Sequence, residues 1–376
     1  MKIVVVAGAR PNFMKVAPII EALRAAQQRG SDVSYKLVHT GQHYDQEMST
    51  AFFDELGLPY PDVDLGVGSS SHAEQTAKVL VAFERLLIEE PPDLVVVVGD
   101  VNSTMACALA ARKLNIPVAH VEAGLRSGDW TMPEETNRIV TDVLCDMLFT
   151  TEPAADANLL KEGVDPARIH FVGNVMIDTL LRHRGRALEL RYWEQFGLRP
   201  REYAVLTLHR PSNVDNRKVF SGIVQALCEI SRELPIVFPI HPRTAKMARE
   251  FDLMSSLQAQ PGIHVIQPLP YLQMLSATSN ARLILTDGGG LQEEAVVLGV
   301  PCITLRENTE RPITIESGAN RLAGSCPDAI VRAVRDVLHH TTRVLFQPAK
   351  WDGRAAERIV DIILREFSRR ASSTHT

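Results

Sequence analysis

A charged segment follows a short apolar run in the first half of the chain, between residues 120 and 138. It contains Glu122, Arg126, Asp129, Glu134 and Glu135. Loops at the carboxyl ends of parallel strands are where open α/β sheets place their chemistry. Several carboxylates there can act as acid and base when their environments separate their pKa values. A solvated loop and a helix start, at which acidic residues favour the helix dipole, would explain the same residues. Matching groups elsewhere must decide between the two interpretations.

Two other predicted strand ends in the first half carry polar side chains. Gly8 ends the first apolar run, and Arg10 and Lys15 follow it at the start of a helical pattern. Cations at a helix N-terminus suit an anionic ligand, although a plain turn would also fit. Asp100 follows the run at 94–98, at the position typical of a functional strand-end carboxylate.

The second half carries histidines and a glycine-rich turn at its predicted strand ends. His209 and His241 each follow a short apolar run, and a histidine titrates closest to neutral pH. The segment 286–294 runs from a strand through three glycines into a helix, which favours a phosphate cradle. The acidic pair at its end could bind ribose hydroxyls or only favour the helix start. The polar loop 306–312 follows the next strand.

Alternating apolar runs and helical patterns predict the elements that position these residues. The class is α/β, with a doubly wound parallel sheet in each half. Strands are predicted at 2–7, 35–39, 94–98, 117–121, 147–150 and 168–172, and then at 203–208, 235–240, 263–267, 282–286 and 301–305. Helices are predicted at 13–29, 72–89, 102–114, 134–145 and 153–162, and then at 216–233, 243–256, 270–279, 290–298 and 326–338.

The repeated pattern predicts two domains, at 1–175 and 176–352. A last amphipathic helix at about 353–370 could pack back on the first domain, and the tail from 368 to 376 is expected to be disordered. Two domains of similar size imply a cleft, which is a preferred place for a ligand.

Composition is that of an ordinary soluble globular protein. The 376 residues are 45% hydrophobic and 23% charged. A net charge of −5 gives no reason to expect nucleic acid or an anionic membrane as partner. No apolar run is long enough to span a bilayer. Five scattered cysteines predict reduced thiols in the cytoplasm and no zinc site. The GxGxxG, Walker A and GxSxG motifs are missing from the sequence.

Taken together in their order, the motifs resemble those of the non-hydrolysing UDP-N-acetylglucosamine 2-epimerases along nearly the whole chain. Each motif is weak by itself, but the ordered set is specific. They are Gly8-x-Arg-Pro, Gly41-Gln-His43, Gly99-Asp100, His120-Val-Glu-Ala-Gly-Leu-Arg126, Pro133-Glu-Glu-x-Asn-Arg138, Gly173-Asn174, His209-Arg210, His241-Pro242, Asp287-x-Gly-Gly-x-Gln-Glu-Glu294 and Thr309-Glu-Arg-Pro312.

The resemblance implies a GT-B-like fold of two Rossmann-like domains facing across a cleft. It also implies reversible epimerisation at C2 of a UDP-sugar by elimination and re-addition of UDP. A homodimer, no cofactor and a place in polysaccharide biosynthesis are further expectations from the family.

By the same resemblance, residues of this chain acquire roles. The catalytic set would be Asp100, Glu122, Glu134 and His209, with base and acid left unassigned. Arg10, His209 and the backbone of 288–290 would hold the diphosphate, Glu294 the ribose, and the stretch 270–274 the uracil. The substrate-binding residues would be Arg10, Lys15, His43, Arg138, His241, Tyr271, Gly288, Gly289, Gly290, Glu294 and Arg311.

Two departures from the family pattern concern the ligand. Gly288 stands where the family commonly has a serine, which removes one hydroxyl contact to phosphate. The loop at 42–48 differs from the form associated with activation by substrate, so the resemblance does not carry that regulation over.

Four alternatives remain open at this point. One is an epimerase of the same type acting on a UDP-2,3-diacetamido uronic acid. The others are a hydrolysing UDP-GlcNAc 2-epimerase, a GT-B glycosyltransferase and a non-catalytic sugar-nucleotide sensor.

Overall fold

Two parallel β-sheets, each in its own unit of the chain, form the framework of the computed structural model. The structure describes residues 1–41, 53, 57–339 and 345–373, with the backbone alone for 10, 11 and 370–373. Met1–Leu181 and the chain from Ala349 onward form the first unit, and Arg182–Pro348 forms the second. The division between Leu181 and Arg182 falls inside a helix, a short distance beyond the predicted boundary.

The first unit contains a seven-stranded sheet in the order β3-β2-β1-β4-β5-β6-β7. All of its pairs are parallel. The strands are β1 (Lys2–Ala7), β2 (Ser34–His39), β3 (Val63–Asp64), β4 (Leu94–Val98), β5 (Val118–Ala123), β6 (Met147–Thr150) and β7 (Ile169–Phe171). The helices are α1 (Arg10–Gln28), α2 (His72–Glu89), α3 (Asn102–Lys113), α4 (Pro133–Leu144), α5 (Pro153–Lys161) and α6 (Val175–Glu189).

The second unit contains a six-stranded parallel sheet in the order β10-β9-β8-β11-β12-β13. The strands are β8 (Ala204–Thr207), β9 (Ile236–Pro239), β10 (Ile263–Ile266), β11 (Leu283–Thr286), β12 (Cys302–Thr304) and β13 (Asn320–Leu322). The helices are α7 (Pro211–Val214), α8 (Arg217–Ile230), α9 (Pro242–Glu250), α10 (Met254–Gln258), α11 (Tyr271–Ser279), α12 (Gly289–Leu298), α13 (Pro312–Glu316) and α14 (Pro327–His339). The last helix, α15 (Ala355–Ser373), belongs to the first unit.

Each sheet reverses its strand order at one place, and Arg10, Asp100, His209 and the glycine-rich turn follow the strands on either side of it. In the first unit β1 and β4 are neighbours, and in the second unit β8 and β11 are neighbours. Strand β4, Leu94–Val98, is buried along its whole length, as a central parallel strand must be. Ligands of doubly wound sheets bind outside the carboxyl ends of the strands at this reversal point.

The α/β class and the doubly wound sheets are confirmed, with differences at the edges. The two-residue strand β3 and the strand β13 were not predicted, because each is too short for a periodic signal. The helix predicted at 243–256 is wrong as one helix: α9 ends at Glu250, and Asp252, with a φ of 60°, separates it from α10. Short 3₁₀ helices lie at Pro166–Arg168 and Tyr192–Phe196.

The C-terminal helix α15 packs in the first unit. It contacts α1, and Asp178 on α6 accepts hydrogen bonds from the backbone N–H groups of Ala355 (3.1 Å) and Ala356 (2.8 Å) at its start. The indole of Trp351 donates to the carbonyl of Thr151 at 2.9 Å. The tail from residue 368 was expected to be disordered. That expectation is wrong for residues 368–373, because the helix continues to Ser373.

Within the described ranges, no helix combines the length and the apolar character needed to cross a membrane.

Candidate functional site

Glu122 ends strand β5 in an unusual backbone conformation. Its φ is 75°, and the pairing with β6 shifts register between Val121 and Ala123, which marks a bulge. The left-handed region costs a non-glycine residue roughly 1–2 kcal/mol, and such strain concentrates at functional sites. The amine of Lys15 lies 2.8 Å from one carboxylate oxygen of Glu122 and 2.7 Å from the other. Both side chains are buried, so the contact with Lys15 fixes the position of the Glu122 carboxylate at the strand end.

Asp100 follows the neighbouring strand β4 and faces a buried arginine. The guanidinium of Arg138 donates to the Asp100 carboxylate at 2.6 Å and to Glu135 at 2.6 Å and 3.1 Å. Arg138 is 2% exposed, whereas the side chain of Asp100 is 25% exposed. A substrate contact of Arg138 stays a prediction. The guanidinium holds Asp100, which keeps some exposure.

The first turn of α4 carries two adjacent glutamates with different surroundings. Glu135 is buried and accepts the N–H groups of Ser127 (3.0 Å) and Gly128 (2.9 Å). Burial alone would raise the pKa of Glu135, but these hydrogen bonds and Arg138 outweigh it and hold that pKa below its usual range. Glu134 is half-buried on the same turn. Glu135 is thus a structural link between α4 and the loop before it, which agrees with its exclusion from the predicted catalytic set.

Two predicted ligands of the first unit are described only in part. His43 lies outside the described residues. Arg10 begins α1 directly after β1, and its backbone alone is described. Its place at a helix N-terminus that follows a reversal-point strand is the position at which the sequence expected an anion-binding cation.

His209 follows β8 and is oriented by an aspartate from β11. Its Nδ1 lies 3.1 Å from an oxygen of Asp287, and its own backbone N–H donates to the same carboxylate. Burial raises the pKa of Asp287, but the hydrogen bond and charge of His209 outweigh it, so the pKa of Asp287 lies below its usual value. The His209 side chain is 41% exposed. A buried carboxylate that orients a partly exposed imidazole suits it to proton transfer or to an anion.

The glycine-rich turn between β11 and α12 rests on buried charges. Glu310 and Arg311 lie under Gly289, where a Cβ would come within 2.7 Å of a Glu310 oxygen and 3.0 Å of Arg311 Nη1. Arg311 bonds Glu293 at 2.7 Å and Glu310 at 3.0 Å, and Arg306 bonds Glu310 at 2.8 Å. The backbone of 288–290 opens helix α12, and its contact with a phosphate stays a prediction. Arg311, expected near the ligand, supports this turn from below.

The remaining predicted ligands lie on three helices of the second unit. Glu294 on α12 is buried, and burial, followed by the charge of Glu293, raises its pKa to about 8. A glutamate that carries a proton near neutral pH can donate a hydrogen bond as well as accept one. The Nδ1 of His241 accepts the N–H of Arg243 at 3.2 Å, so His241 caps α9. Tyr271 begins α11 with its ring edge-on to His183.

Sequence reasoning missed several buried polar residues that support these groups. Asn12 binds the backbone N–H of Ala9 and the carbonyl of Val98, and so joins the ends of β1 and β4. Asp142 on α4 bonds His120 and Arg126. A signal for Asp142 was present in the sequence, because residues 135, 138 and 142 share one face of a helix.

Fold and site together define a class: an α/β protein with two doubly wound units, carboxylates at the reversal point of one sheet and a phosphate-type glycine turn at that of the other. A family model described as UDP-N-acetylglucosamine 2-epimerase matches residues 25–364. The chain therefore belongs to the UDP-N-acetylglucosamine 2-epimerase family.

Curated relatives cover nearly the whole chain. The UDP-N-acetylglucosamine 2-epimerase of Methanocaldococcus jannaschii is 44% identical over 368 residues, which is 96% of this chain and 99% of the relative. The UDP-2,3-diacetamido-2,3-dideoxy-D-glucuronate 2-epimerase of Pseudomonas aeruginosa is 40% identical over 369 residues, covering 97% of this chain and 100% of that protein.

Solved structures of the same kind superimpose on the chain. The M. jannaschii UDP-GlcNAc 2-epimerase in complex with UDP-GlcNAc and UDP matches with a TM-score of 0.89 at 43% identity, over 96% of this chain and 99% of that one. The Neisseria meningitidis UDP-GlcNAc 2-epimerase bound to UDP-GlcNAc matches with a TM-score of 0.87 at 29% identity, over 97% and 100%. The fold expected from the motifs is confirmed.

Proposed function

We propose that this protein interconverts UDP-N-acetylglucosamine and UDP-N-acetylmannosamine. The observation that carries the proposal is a pair of carboxylates, Asp100 and Glu122, at the ends of adjacent strands. Asp100 faces the buried guanidinium of Arg138 at 2.6 Å, and Glu122 faces the buried amine of Lys15 at 2.7 and 2.8 Å. Carboxylates at the ends of neighbouring strands are suited to proton transfer with a bound substrate. Membership of the family and the names of the relatives supply the substrate class.

The reaction explains why proton-transfer groups and a diphosphate cradle are needed together. The C2 proton of the sugar is not acidic, because no carbonyl flanks it. As the C1–O bond breaks, its electron pair leaves with UDP, positive charge develops at C1, and a base removes the C2 proton. The C2–H electrons form the C1=C2 double bond of a 2-acetamidoglucal. Protonation at C2 from the opposite face and return of the UDP oxygen to C1 give the epimer.

Different residues serve different parts of this reaction. Asp100, Glu122 and Glu134 exchange the C2 proton, and His209 serves the departing diphosphate. The backbone of Gly288, Gly289 and Gly290 binds the phosphates at the start of α12. The further substrate-binding residues are Arg10, Lys15, His43, His241, Tyr271 and Glu294, with Arg138 and Arg311 acting through Asp100 and the glycine turn.

A second candidate substrate is a UDP-2,3-diacetamido uronic acid. The observation that favours it is the 40% identity to the P. aeruginosa enzyme named for that sugar. The elimination chemistry is the same, because the substituents at C3 and C6 do not react.

Incubation in heavy water tests both candidates. We expect UDP-GlcNAc to yield UDP-ManNAc that carries deuterium at C2. Proton NMR monitors the reaction. Free ManNAc with UDP would identify a hydrolysing enzyme instead, and turnover only after addition of an acceptor would identify a glycosyltransferase. Deuterium exchange with the diacetamido uronic acid nucleotide, and none with UDP-GlcNAc, would move the proposal to the second candidate.

The family resemblance also supports a homodimer in the cytoplasm, and we include both in the proposal. The five cysteines of the protein are free thiols, in keeping with a reducing compartment. Light scattering on the purified protein should give twice the mass of 41.6 kDa. A mass of one chain at micromolar concentration would contradict the dimer.

A further inference from the structure

A buried ion pair lies behind the bulge at Glu122 and takes no part in the chemistry above. His120 on β5 and Asp142 on α4 are 0% and 1% exposed. The Nδ1 of His120 lies 2.6 Å from Oδ1 of Asp142, and its Nε2 lies 2.8 Å from the carbonyl oxygen of Gly99. A fully buried imidazole therefore joins α4 to the turn that carries Asp100.

The hydrogen bonds around the pair determine where its protons lie. A carbonyl oxygen only accepts, so the Nε2 of His120 carries a hydrogen. The second oxygen of Asp142 accepts the N–H of Gly124 at 3.0 Å and lies 2.8 Å from Arg126. Burial alone would raise the pKa of Asp142, but His120 and Arg126 outweigh it and lower that pKa. The ionised Asp142 accepts from His120, so Nδ1 carries a hydrogen as well.

The charges of this cluster balance. Arg126, which faces Asp142, is bound by both carboxylate oxygens of Glu162 at 2.8 Å each. The imidazolium of His120, the guanidinium of Arg126 and the carboxylates of Asp142 and Glu162 therefore sum to zero. Glu162 lies at the exposed end of this set, and the buried members His120 and Asp142 each have a partner, so no unpaired ion is left inside.

The cluster spans the strained residue. Asp142 bonds His120 before Glu122 and the N–H of Gly124 after it, so one carboxylate holds both ends of the bulge. Gly124, with a φ of 79°, is pressed against α5, where a Cβ would lie 2.5 Å from the carbonyl oxygen of Ala155. A left-handed glutamate persists only where its surroundings fix the backbone on either side.

We propose that His120 and Asp142 are positioning residues that set the two proton-transfer carboxylates at once. Asp142 clamps the bulge that aims Glu122 at Lys15, and the His120 imidazolium holds the Gly99 carbonyl directly before Asp100. The catalytic consequence of this inference rests on the function proposed above. The protonation of His120 and the contacts of Asp142 on both sides of the bulge are properties of the protein without substrate.

Two conservative variants test the catalytic consequence. In His120→Gln the amide nitrogen can replace Nε2 toward Gly99, and the bond to Asp142 is lost. Asp142→Asn keeps the shape and removes the charge. We expect both to lower kcat about ten- to a hundredfold with KM nearly unchanged, because misplaced reacting groups slow the chemical step. His170→Gln is the control, since it removes a half-buried histidine from β7 of the same sheet.

Nitrogen-15 NMR of the histidine rings tests the protonation without any substrate. We expect the His120 ring, assigned by its loss in His120→Gln, to show hydrogens on both nitrogens. The amide signals of Asp100, Glu122 and Gly124 should shift in both variants and stay in place in His170→Gln.

Three results would overturn the inference. They are an unprotonated ring nitrogen at His120, unmoved amide signals at Glu122 and Asp100, or kcat values in both variants equal to that of His170→Gln. If the wild-type protein fails to exchange deuterium into any UDP-sugar, the proposed function fails, and the NMR results still decide the clamp.

Discussion

At the ends of β4 and β5, a buried cation faces each candidate proton-transfer carboxylate. Lys15 binds Glu122 and Arg138 binds Asp100. Removing one partner of such a pair leaves an uncompensated buried charge, which costs roughly 3–5 kcal/mol. At the scale of single residues, function and stability are therefore coupled at this site, and activity assays need a stability measurement beside them.

Replacing Glu122 by glutamine tests its role as a proton-transfer group. We expect kcat to fall about a hundredfold or more, because the amide cannot exchange the C2 proton. Glu89→Gln at the exposed end of α2 is the matched control and should keep the wild-type rate. Rates of deuterium incorporation at C2 measure the effect. Chemical denaturation measures the free energy of unfolding of each variant, so that a loss of folded protein is not mistaken for a loss of catalysis. A Glu122→Gln rate within threefold of the control would remove Glu122 from the catalytic set.

Helix α4 shows how an element can reverse the usual rule of helix burial. Glu135, Arg138 and Asp142 lie on its buried face, whereas Val143 is 65% exposed. Amphipathic helices normally bury their apolar stripe. Here the buried stripe is charged because its partners are the carboxylate of Asp100, the imidazole of His120 and the loop before the helix. Helix α4 therefore holds the groups of the candidate site in place as well as packing on the sheet.

The glycine turn at the start of α12 makes a prediction at the scale of elements. Gly289→Ala should weaken UDP binding by at least about tenfold, because its Cβ would meet Glu310 and Arg311, which are fixed by further ion pairs. Gly288→Ser should lose less affinity, since its φ of −89° suits any residue and its Cβ would lie 3.3 Å from the His209 ring. Calorimetric titration with UDP compares the two. Equal losses would contradict a turn supported from below.

The cap of α15 by Asp178 makes stability depend on pH. Burial, only partly offset by the N–H groups of Ala355 and Ala356, raises the pKa of Asp178 to about 6. The folded state then keeps a proton that the unfolded state has lost, so the free energy of unfolding falls as pH rises from about 4 to about 6. The shift corresponds to about 2–3 kcal/mol in total.

Urea unfolding of the wild type and Asp178→Asn at pH values from 4.5 to 7 measures this dependence. The difference between the two curves should change across that window, since asparagine does not titrate. A constant difference would show that Asp178 keeps an ordinary pKa in the folded protein.

On the scale of the whole molecule, each unit has its own core, and the chain enters the first unit twice. The second core gathers Phe220, Phe238 and Leu285, and the first gathers Phe83, Val97 and Leu148. Residues from Ala349 onward return to the first unit, where Ile359 and Ile363 of α15 are buried. The last helix therefore adds buried side chains to the first unit and packs on α1, although it is far away in sequence.

Truncating Ile359 to alanine should therefore destabilise the first unit by about 2–5 kcal/mol, the usual cost of a cavity at a buried isoleucine. Hydrogen exchange resolved by residue measures it. We expect faster exchange in β1, β4 and β5 and a smaller change in β8 and β11. Leu364→Ala, at a half-buried position of the same helix, should cost less. Uniformly faster exchange across both sheets would show that the units unfold together.

The sequence by itself determined the class of the fold, because hydrophobic periodicity is local and continuous along each strand and helix. It also placed Asp100, Glu122 and His209 at strand ends, since the end of an apolar run marks where a parallel strand stops. The ordered motifs then led to the family, which the comparisons confirmed.

Only the tertiary structure decided how those residues are held. The ion pairs of Lys15 and Arg138 and the bond from Asp142 to His120 join residues that are far apart in the sequence. These contacts, and the left-handed backbone at Glu122, depend on packing. Burial also decided their charge states: Glu294 reaches a pKa of about 8 inside a helix that reads as an ordinary acidic helix start. Desolvation and pairing act through three-dimensional neighbours, which no local pattern records.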